Sequence, residues 1–375
     1  MSGRARMSGD RGGWAVIVTA CTFALTLAAP VPAQAGAEAA GTTAAAFLGV
    51  GTGAGVLGRG GATLALAGDL AIVPWNPASL GWLGETQIAI AHAGLEDEAL
   101  QEWVGVGGKV GRSALRWSLD GLYQSEGPFE GRDALNQPTG GIDVSSMAVA
   151  LHLARPFGRF VSLGVGGKYV GERLGEVSGA GFTMDAGLQV RAGLLGLGVA
   201  VTNVGGQMAY DGQRYGFPTS VGVGAALDLP LTGLRLAVDA DFPRSYYEDV
   251  RAGAEWRWHN LVALRAGYRR ELGAPENVAE SGPSFGVGAG LRGMWLDYGY
   301  LIPGAGEGQH RLSVTLQPGK FAWLSGDPFG QKDMPKDFDH VRPGDSSAPQ
   351  RPGEGASSAG GGAASTANGE TAKQK

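Results

Sequence analysis

Three glycines near the start of the chain have the spacing of a dinucleotide-binding motif. Gly53, Gly55 and Gly58 match G-x-G-x-x-G, which holds a pyrophosphate where a strand leads into a helix and an acidic residue follows about twenty positions later. Here Trp75 to Leu80 comes next, followed by a long series of short alternating segments. The required βαβ context is missing, so the sequence predicts no nucleotide cofactor.

The histidines, serines and cysteine also lack the arrangement that catalysis or metal binding needs. His92, His152, His259 and His310 fall in separate segments without ligand spacing, and His340 lies near the C-terminus. No serine or cysteine lies in a nucleophile motif. We therefore expect no enzyme activity, no metal and no cofactor.

The charged residues are informative because they alternate with apolar ones. From Val250 to His259, alternate positions read Val, Ala, Ala, Trp, Trp on one face and Arg, Gly, Glu, Arg, His on the other. Side chains on a strand point to opposite faces with period two, so one face suits lipid and the other suits water. Eight charges are predicted to face the interior of a barrel: Arg116, Asp120, Lys168, Asp185, Asp239, Arg257, Arg265 and Asp297.

About fourteen such segments lie between Thr86 and Gln317, with lengths that suit tilted strands crossing a bilayer. Their links are alternately short and long, and the long ones include Gln124 to Asp143, Gly205 to Gly216 and Glu271 to Gly282. Outer-membrane barrels keep short turns on the periplasmic side, so both ends of the barrel are expected there. The predicted strand cores are residues 86–93, 101–109, 112–123, 144–154, 160–172, 180–192, 195–203, 217–228, 233–241, 249–258, 260–269, 283–292, 293–300 and 309–317.

A soluble β-sandwich or up-and-down barrel would show the same alternation. Two features favour a membrane barrel. The polar face combines charges with many glycines, which the dry core of a soluble protein would not tolerate. The apolar face carries aromatic residues near the strand ends, where outer-membrane barrels have aromatic girdles at the membrane interfaces. These aromatic residues are Trp117, Trp256, Trp258, Trp295, Tyr123, Tyr169, Tyr268 and Tyr298. The expected fold is all-β, an antiparallel transmembrane β-barrel of about 14 strands in the outer membrane, in contact with its lipid.

The two ends of the chain differ from the barrel in composition. A basic start, an apolar run from Trp14 to Ala29 and a small-residue cleavage site predict a signal peptide at residues 1–35. Val18 to Cys21 also resembles a lipoprotein cleavage box, which leaves lipidation of Cys21 open. Residues 318–375 favour a disordered periplasmic tail. A net charge of −5 gives no basic patch, so nucleic acid is not an expected partner.

The segment before the first strand has a pattern of its own, carried by Phe47, Leu48, Gly58, Gly60, Gly61, Ala62, Ala65, Leu66, Ala67, Asp69, Trp75, Asn76, Pro77, Ala78 and Leu80. This pattern resembles the opening of the PorV/PorQ family of outer-membrane proteins, relatives of the FadL fatty-acid transporters, which share the Asn, Pro, Ala turn. The resemblance covers residues 46–84 and continues as strand pattern through residues 86–317. It implies a FadL-like barrel in which residues 36–85 fold into the lumen as a plug.

The resemblance also implies a part in protein export. PorV-like proteins serve the type IX secretion system and bind the C-terminal signal domains of cargo, whereas PorQ-like ones partner a surface protein. Secreted cargo and other secretion-system subunits are therefore expected partners. The relation to FadL leaves transport of hydrophobic small molecules open as an alternative, and a purely structural barrel is a third. Aromatic residues in the predicted loops, such as Tyr210, Tyr246 and Tyr247, suit a partner surface or a hydrophobic ligand.

Overall fold

The computed structural model describes residues 41–275, 281–304 and 306–321. The predicted signal peptide with Cys21, and all but the first four residues of the predicted tail at 318–375, lie outside these ranges. Within them, no helix has the length and apolar character that a membrane crossing requires.

Fourteen strands of the described part close into an antiparallel barrel. Each ring strand pairs with the next, and the first strand completes the ring by pairing with the last, where Ile90 lies opposite Val314. A closed ring has no unpaired edge, as a sheet in lipid requires. The predicted fold class is confirmed. The ring strands are β1 (Gln87–Gly94), β2 (Leu100–Lys109), β3 (Arg116–Arg132), β4 (Pro138–Phe157), β5 (Val161–Leu174), β6 (Val177–Ala192), β7 (Leu195–Val204), β10 (Ser220–Leu229), β11 (Leu234–Pro243), β12 (Asp249–Trp258), β13 (Val262–Glu271), β14 (Gly282–Leu291), β15 (Met294–Leu301) and β16 (Gln309–Leu316).

The remaining elements are short. Strands β8 (Gln207–Tyr210) and β9 (Gln213–Gly216) form a separate hairpin between β7 and β10. One α-helical turn lies at Ala54–Leu57. The 3-10 helices are Ala46–Gly49, Leu70–Ile72, Pro77–Trp82, Glu96–Glu98 and Pro318–Lys320.

The two ends of the barrel differ in their connections. Every link at one end has six residues or fewer, and we call this the turn end; it joins β2 to β3, β4 to β5, β6 to β7, β10 to β11, β12 to β13 and β14 to β15. The links at the opposite loop end vary more in length, from residues 175–176 to the connection 205–219 that carries the β8–β9 hairpin, and they include the connection 272–281. Strand β1 starts and β16 finishes at the turn end, which is the arrangement expected from the sequence.

Two connections expected to be long at the loop end are largely strand. Only residues 133–137 remain between β3 and β4, and residues 175–176 join β5 to β6. The segment between the predicted third and fourth strands contains Gly127, Pro128, Pro138 and Gly140, which are residue types common in turns. The ladder nevertheless continues because the paired strands satisfy each other's backbone groups and absorb an irregularity between Ser125 and Pro128 as a bulge. The predicted loop Gly205 to Gly216 contains the β8–β9 hairpin.

Side chains alternate between the lumen and the outer surface, as β12 shows. Val250 and Trp256 are 44% and 42% exposed, whereas Arg251 and Glu255 are buried. Seven of the eight aromatic residues expected in the girdles share the outward face. Trp295 does not, because its ring lies 4.6 Å from the guanidinium carbon of the inward Arg257 and occupies space above the lumenal glycines Gly288 and Gly290.

Val287→Arg tests this assignment of faces. Val287 is 52% exposed at the middle of β14, so an arginine there would lie in lipid and should cost about 2 to 4 kcal/mol. We expect less folded barrel, measured as loss of the faster-migrating band of unboiled protein on a gel. Thr202→Arg is the control, since Thr202 lines an interior cavity. Equal loss at both positions would contradict the assignment.

Candidate functional site

Residues 41–83, here called the plug, run through the lumen from the loop end to the turn end. At the loop end, the Ala45 amide donates to Glu172 Oε2 over 3.0 Å. At the turn end, Ser162 Oγ donates to the Ala78 carbonyl over 2.7 Å. The plug then leads directly into β1, so its far end is covalently fixed to the barrel wall.

The plug backbone lies against glycines of the wall. A Cβ at Gly198 would lie 2.0 Å from the Leu64 oxygen, and one at Gly267 would lie 2.2 Å from the Gly60 nitrogen. Gly60 has a φ of +66° and its own Cβ would lie 2.7 Å from the backbone of Tyr268. Side chains at these positions would displace the plug. Other contacts of this kind join Gly58 to Gly286, and Gly164 to Pro77 and Ala78, while Gly61 lies against the side chain of Arg251.

Polar side chains of the wall satisfy the plug's backbone groups. Asp239 Oδ2 accepts from the amides of Thr63 (2.5 Å) and Leu64 (2.9 Å). Gln189 Nε2 donates to the carbonyls of Leu64 and Leu66, both over 2.8 Å. Buried backbone groups without partners would be costly, so these two residues fix the path of the plug. Asp239 belongs to the predicted set, whereas Gln189 was missed although it lies on the polar face of β6.

The expected turn at Asn76 and Pro77 begins the 3-10 helix Pro77–Trp82. Asn76 is fully buried. Its Oδ1 accepts from the Ala78 amide over 3.0 Å, and its Nδ2 donates to the Leu64 carbonyl over 2.8 Å. Asn76 therefore caps the helix and ties it to the middle of the plug. Asp69 caps Leu70–Ile72 in the same way by accepting from the Ala71 amide.

A buried ion-pair network joins the plug to β12, β13 and β15. Glu255 Oε2 lies 2.8 Å from Arg59 Nη1 and 2.6 Å from Arg265 Nε. Arg265 Nη1 also binds Asp297 Oδ1 at 2.6 Å, and Arg257 Nη2 lies 3.1 Å from Glu255 Oε1. Burial lowers the pKa of the Arg59 guanidinium, and Glu255 opposes this effect. Arg235 Nη1 also lies 3.6 Å from Glu255 Oε1. Glu255 thus holds a plug arginine and three wall arginines together.

A second buried network lies on β3 to β7. His152 is fully buried, with Nδ1 3.2 Å from Asp120 Oδ1 and Nε2 3.4 Å from Asp185 Oδ2. Lys168 Nζ lies 2.9 Å from Asp185 Oδ2 and donates to Asn203 Oδ1 over 2.8 Å. Each charge therefore has a partner of opposite sign or a hydrogen-bonding group, as burial requires.

The eight charges expected in the lumen lie on the inner face. Six are buried, while Arg116 and Arg257 are half-buried. Arg116 Nε donates to the Leu83 carbonyl over 3.1 Å at the turn end. Sequence reasoning missed Glu255 and Arg59, although Glu255 lies on the polar face of β12 and Arg59 is the first charged residue of the plug.

The plug's first residues form a cluster with the β8–β9 hairpin at the loop end. Phe47 packs with Met208, Phe217 and Val170, and all four are buried. Tyr210 of the hairpin donates its hydroxyl to Glu172. Burial raises the pKa of Tyr210, and the Glu172 carboxylate adds to this. The hairpin therefore folds inward over one side of the mouth of the barrel.

Beside this cluster lies a cavity of about 440 Å³. Phe47, Leu48, Trp75, Trp103 and Leu122 contribute to its apolar lining. No cluster of three or more metal-ligating side chains occurs in the described part of the chain. The charged residues that line the cavity are Asp120, Glu126, Lys168, Asp241, Asp249, Arg251 and Arg269.

Solved structures similar to this chain include aromatic hydrocarbon channels. The toluene transporter TodX of P. putida matches with a TM-score of 0.53 and 13% identity over 71% of this chain and 97% of that chain. This chain shares the β-barrel fold of that transporter. The toluene transporter TbuX of Ralstonia pickettii matches with a TM-score of 0.52 and 13% identity over 71% of this chain and 98% of that chain. The monoaromatic hydrocarbon channel CymD matches with a TM-score of 0.50 and 14% identity over 72% of this chain and 98% of that chain. Such identities establish the fold alone. No family model and no curated protein matched the sequence.

Glu255→Leu should destabilise this barrel, because Arg59 and Arg265 would stay buried without their shared carboxylate. Breaking a buried ion pair from one side costs about 3 to 5 kcal/mol, measurable as a lower unfolding midpoint in denaturant. Glu130→Leu is the control, since it removes an exposed pair with Arg132 in the outer part of β3 and should cost about 0 to 1 kcal/mol. Equal midpoints for the two variants would argue against the network.

Deletion of residues 46–74 should open the lumen. It removes most of the plug and keeps Asn76, Pro77 and the ring strands. We expect a barrel that still assembles and conducts ions in a planar bilayer, whereas the intact protein is nearly silent. A large steady conductance of the intact protein would show that the plug does not close the lumen.

Proposed function

We propose that the protein carries hydrophobic small molecules across the outer membrane. The observation that carries the proposal is the cavity at the loop end, whose volume of about 440 Å³ lies within the range of roughly 300 to 1,000 Å³ that small-molecule sites occupy. Its aromatic and aliphatic lining suits an apolar ligand. The loop end is then the outer face and the turn end is the periplasmic face.

The similar solved structures support transport. TodX and TbuX are described as toluene transporters, and CymD as a monoaromatic hydrocarbon channel. The alternative of a secretion component depends on the PorV/PorQ resemblance of residues 46–84, and none of the comparisons supports it. Transport by this chain is therefore the better proposal, and its substrate is an apolar molecule small enough for the cavity.

The position of the plug determines which part of the lumen a ligand reaches first. Phe47, Leu64 and Trp75 belong to the plug and also line the cavity, while Asn76 and the helix after it occupy the turn end of the lumen. A ligand therefore meets its binding site first, and its passage to the periplasm requires movement of the plug or of the wall beside it.

Ala148→Phe tests the proposed path, because Ala148 is buried and lines the cavity. Cells that carry the protein in their outer membrane should take up radiolabelled toluene saturably, and Ala148→Phe should reduce this uptake at least fivefold by filling the site. Met147→Phe is the matched control, since Met147 immediately precedes Ala148 in the chain and faces outward. Both variants must give the unboiled barrel band.

Uptake by Ala148→Phe cells equal to that of the unmodified protein would overturn the proposed path. Uptake that never saturates, at the rate of cells without the protein, would overturn the transport function itself.

A further inference from the structure

We infer that the cavity admits neutral apolar molecules, with Asp241 available to accept from a hydrogen-bond donor on the ligand, and that it excludes organic anions. This inference rests on the proposed function and adds a substrate class to it. It follows from the charges that line the cavity and from their partners.

Every cationic side chain in the lining already has a carboxylate partner. Arg251 Nη2 donates to Asp249 Oδ2 over 2.8 Å, and Arg269 Nη2 donates to the same oxygen over 3.1 Å. Lys168 binds Asp185 at 2.9 Å. An incoming carboxylate would have to displace one of these protein carboxylates, so the lining offers no ready partner for an anion.

Carboxylates outnumber cations in the lining. Among the described residues around the cavity, the acidic ones are Asp120, Glu126, Asp241 and Asp249, against Lys168, Arg251 and Arg269. A further arginine, Arg311, lines a smaller adjoining recess and not the cavity itself. The excess of negative charge repels an anionic ligand, and a half-enclosed site screens that repulsion less than bulk water does.

The Asp241 carboxylate can accept more hydrogen bonds than the two contacts it makes with other side chains. Its Oδ1 accepts from Ser220 Oγ over 2.7 Å, and its Oδ2 lies 3.4 Å from Arg251 Nη2, which is long for a charge-assisted hydrogen bond. A carboxylate has about four lone-pair sites. Asp241 can therefore accept a further hydrogen bond from a hydroxyl or amine of a ligand in the cavity.

Opposite walls of the barrel contribute different groups to the lining. Trp103 and Leu122 come from β2 and β3, which also contribute Asp120 and Glu126, whereas Asp241 and Arg251 come from β11 and β12, on the opposite side of the ring. A bound molecule can thus place its apolar body against the β2–β3 wall and its donor group toward Asp241. A plain hydrocarbon would contact the β2–β3 wall and make no hydrogen bond with Asp241.

Two fluorescent probes with one skeleton test the inference. N-phenyl-1-naphthylamine is neutral and carries an N–H donor, and 8-anilino-1-naphthalenesulfonate adds a sulfonate to the same skeleton. Both are titrated into the purified full-length protein, and the signal of Ala148→Phe is subtracted to remove binding outside the cavity. We expect saturable binding of the neutral probe and at least tenfold weaker binding of the sulfonate.

Asp241→Asn should reduce the ratio of the two dissociation constants, sulfonate over neutral probe, by at least threefold, mainly because the sulfonate binds more tightly. Glu130→Gln is the matched control, because it removes one negative charge from an exposed pair with Arg132 outside the cavity lining, and it should leave both affinities unchanged. An equal shift in both variants would overturn the role of Asp241.

The outcomes separate the inference from the proposed function. Sulfonate binding as tight as that of the neutral probe would overturn anion exclusion and leave transport intact. Failure of both probes to bind in the cavity, together with toluene uptake that does not saturate, would overturn both.

Discussion

The structure depends on the close packing of the plug backbone against the inner wall of the barrel. A ring of fourteen strands encloses more space than short inward side chains fill, and the inward glycines enlarge that space. A folded segment fills it only if its own amides and carbonyls find partners, because buried polar groups without partners are costly. Asp239 and Gln189 supply these partners at the middle of the plug.

The ion pairs have a related role. Arg59 brings a charge into a buried site, which is tolerable because Glu255 is held there by Arg265 as well. Such a network adds little net stability over an apolar core, yet its geometry admits few alternatives. The plug is therefore fixed at one height and rotation in the lumen. The cavity is the space that this fixed plug leaves at the loop end.

The sequence predicted the ring well because alternation is a local property. Within each of the fourteen segments, the alternate apolar positions identify the outward face. The two faces of Val250 to Trp258 could therefore be assigned without knowledge of the neighbouring strands. The extensions of β3 and β4 were missed because glycine and proline look the same in a loop and in a paired ribbon. Trp295 was misplaced although its separation from Asp297 puts both on one face.

Partners across the lumen could not be predicted in the same way. Glu255 and Gln189 lie on polar faces like many other residues, and their importance comes from the plug atoms that meet them far along the sequence. The cavity depends on packing between the plug, the hairpin and opposite walls, which leaves no periodic signal. Only the resemblance of residues 46–84 indicated that anything would enter the lumen.

The plug adjoins β1 in the chain, and β1 forms the seam of the barrel by pairing with β16. Gln87, the first residue of β1, also holds the plug, since it accepts from the Leu70 amide and donates to the Gly68 carbonyl. The strand that closes the ring is therefore also a strand that anchors the plug. A substitution at Gln87 would loosen the interior without removing any pair between β1 and β16.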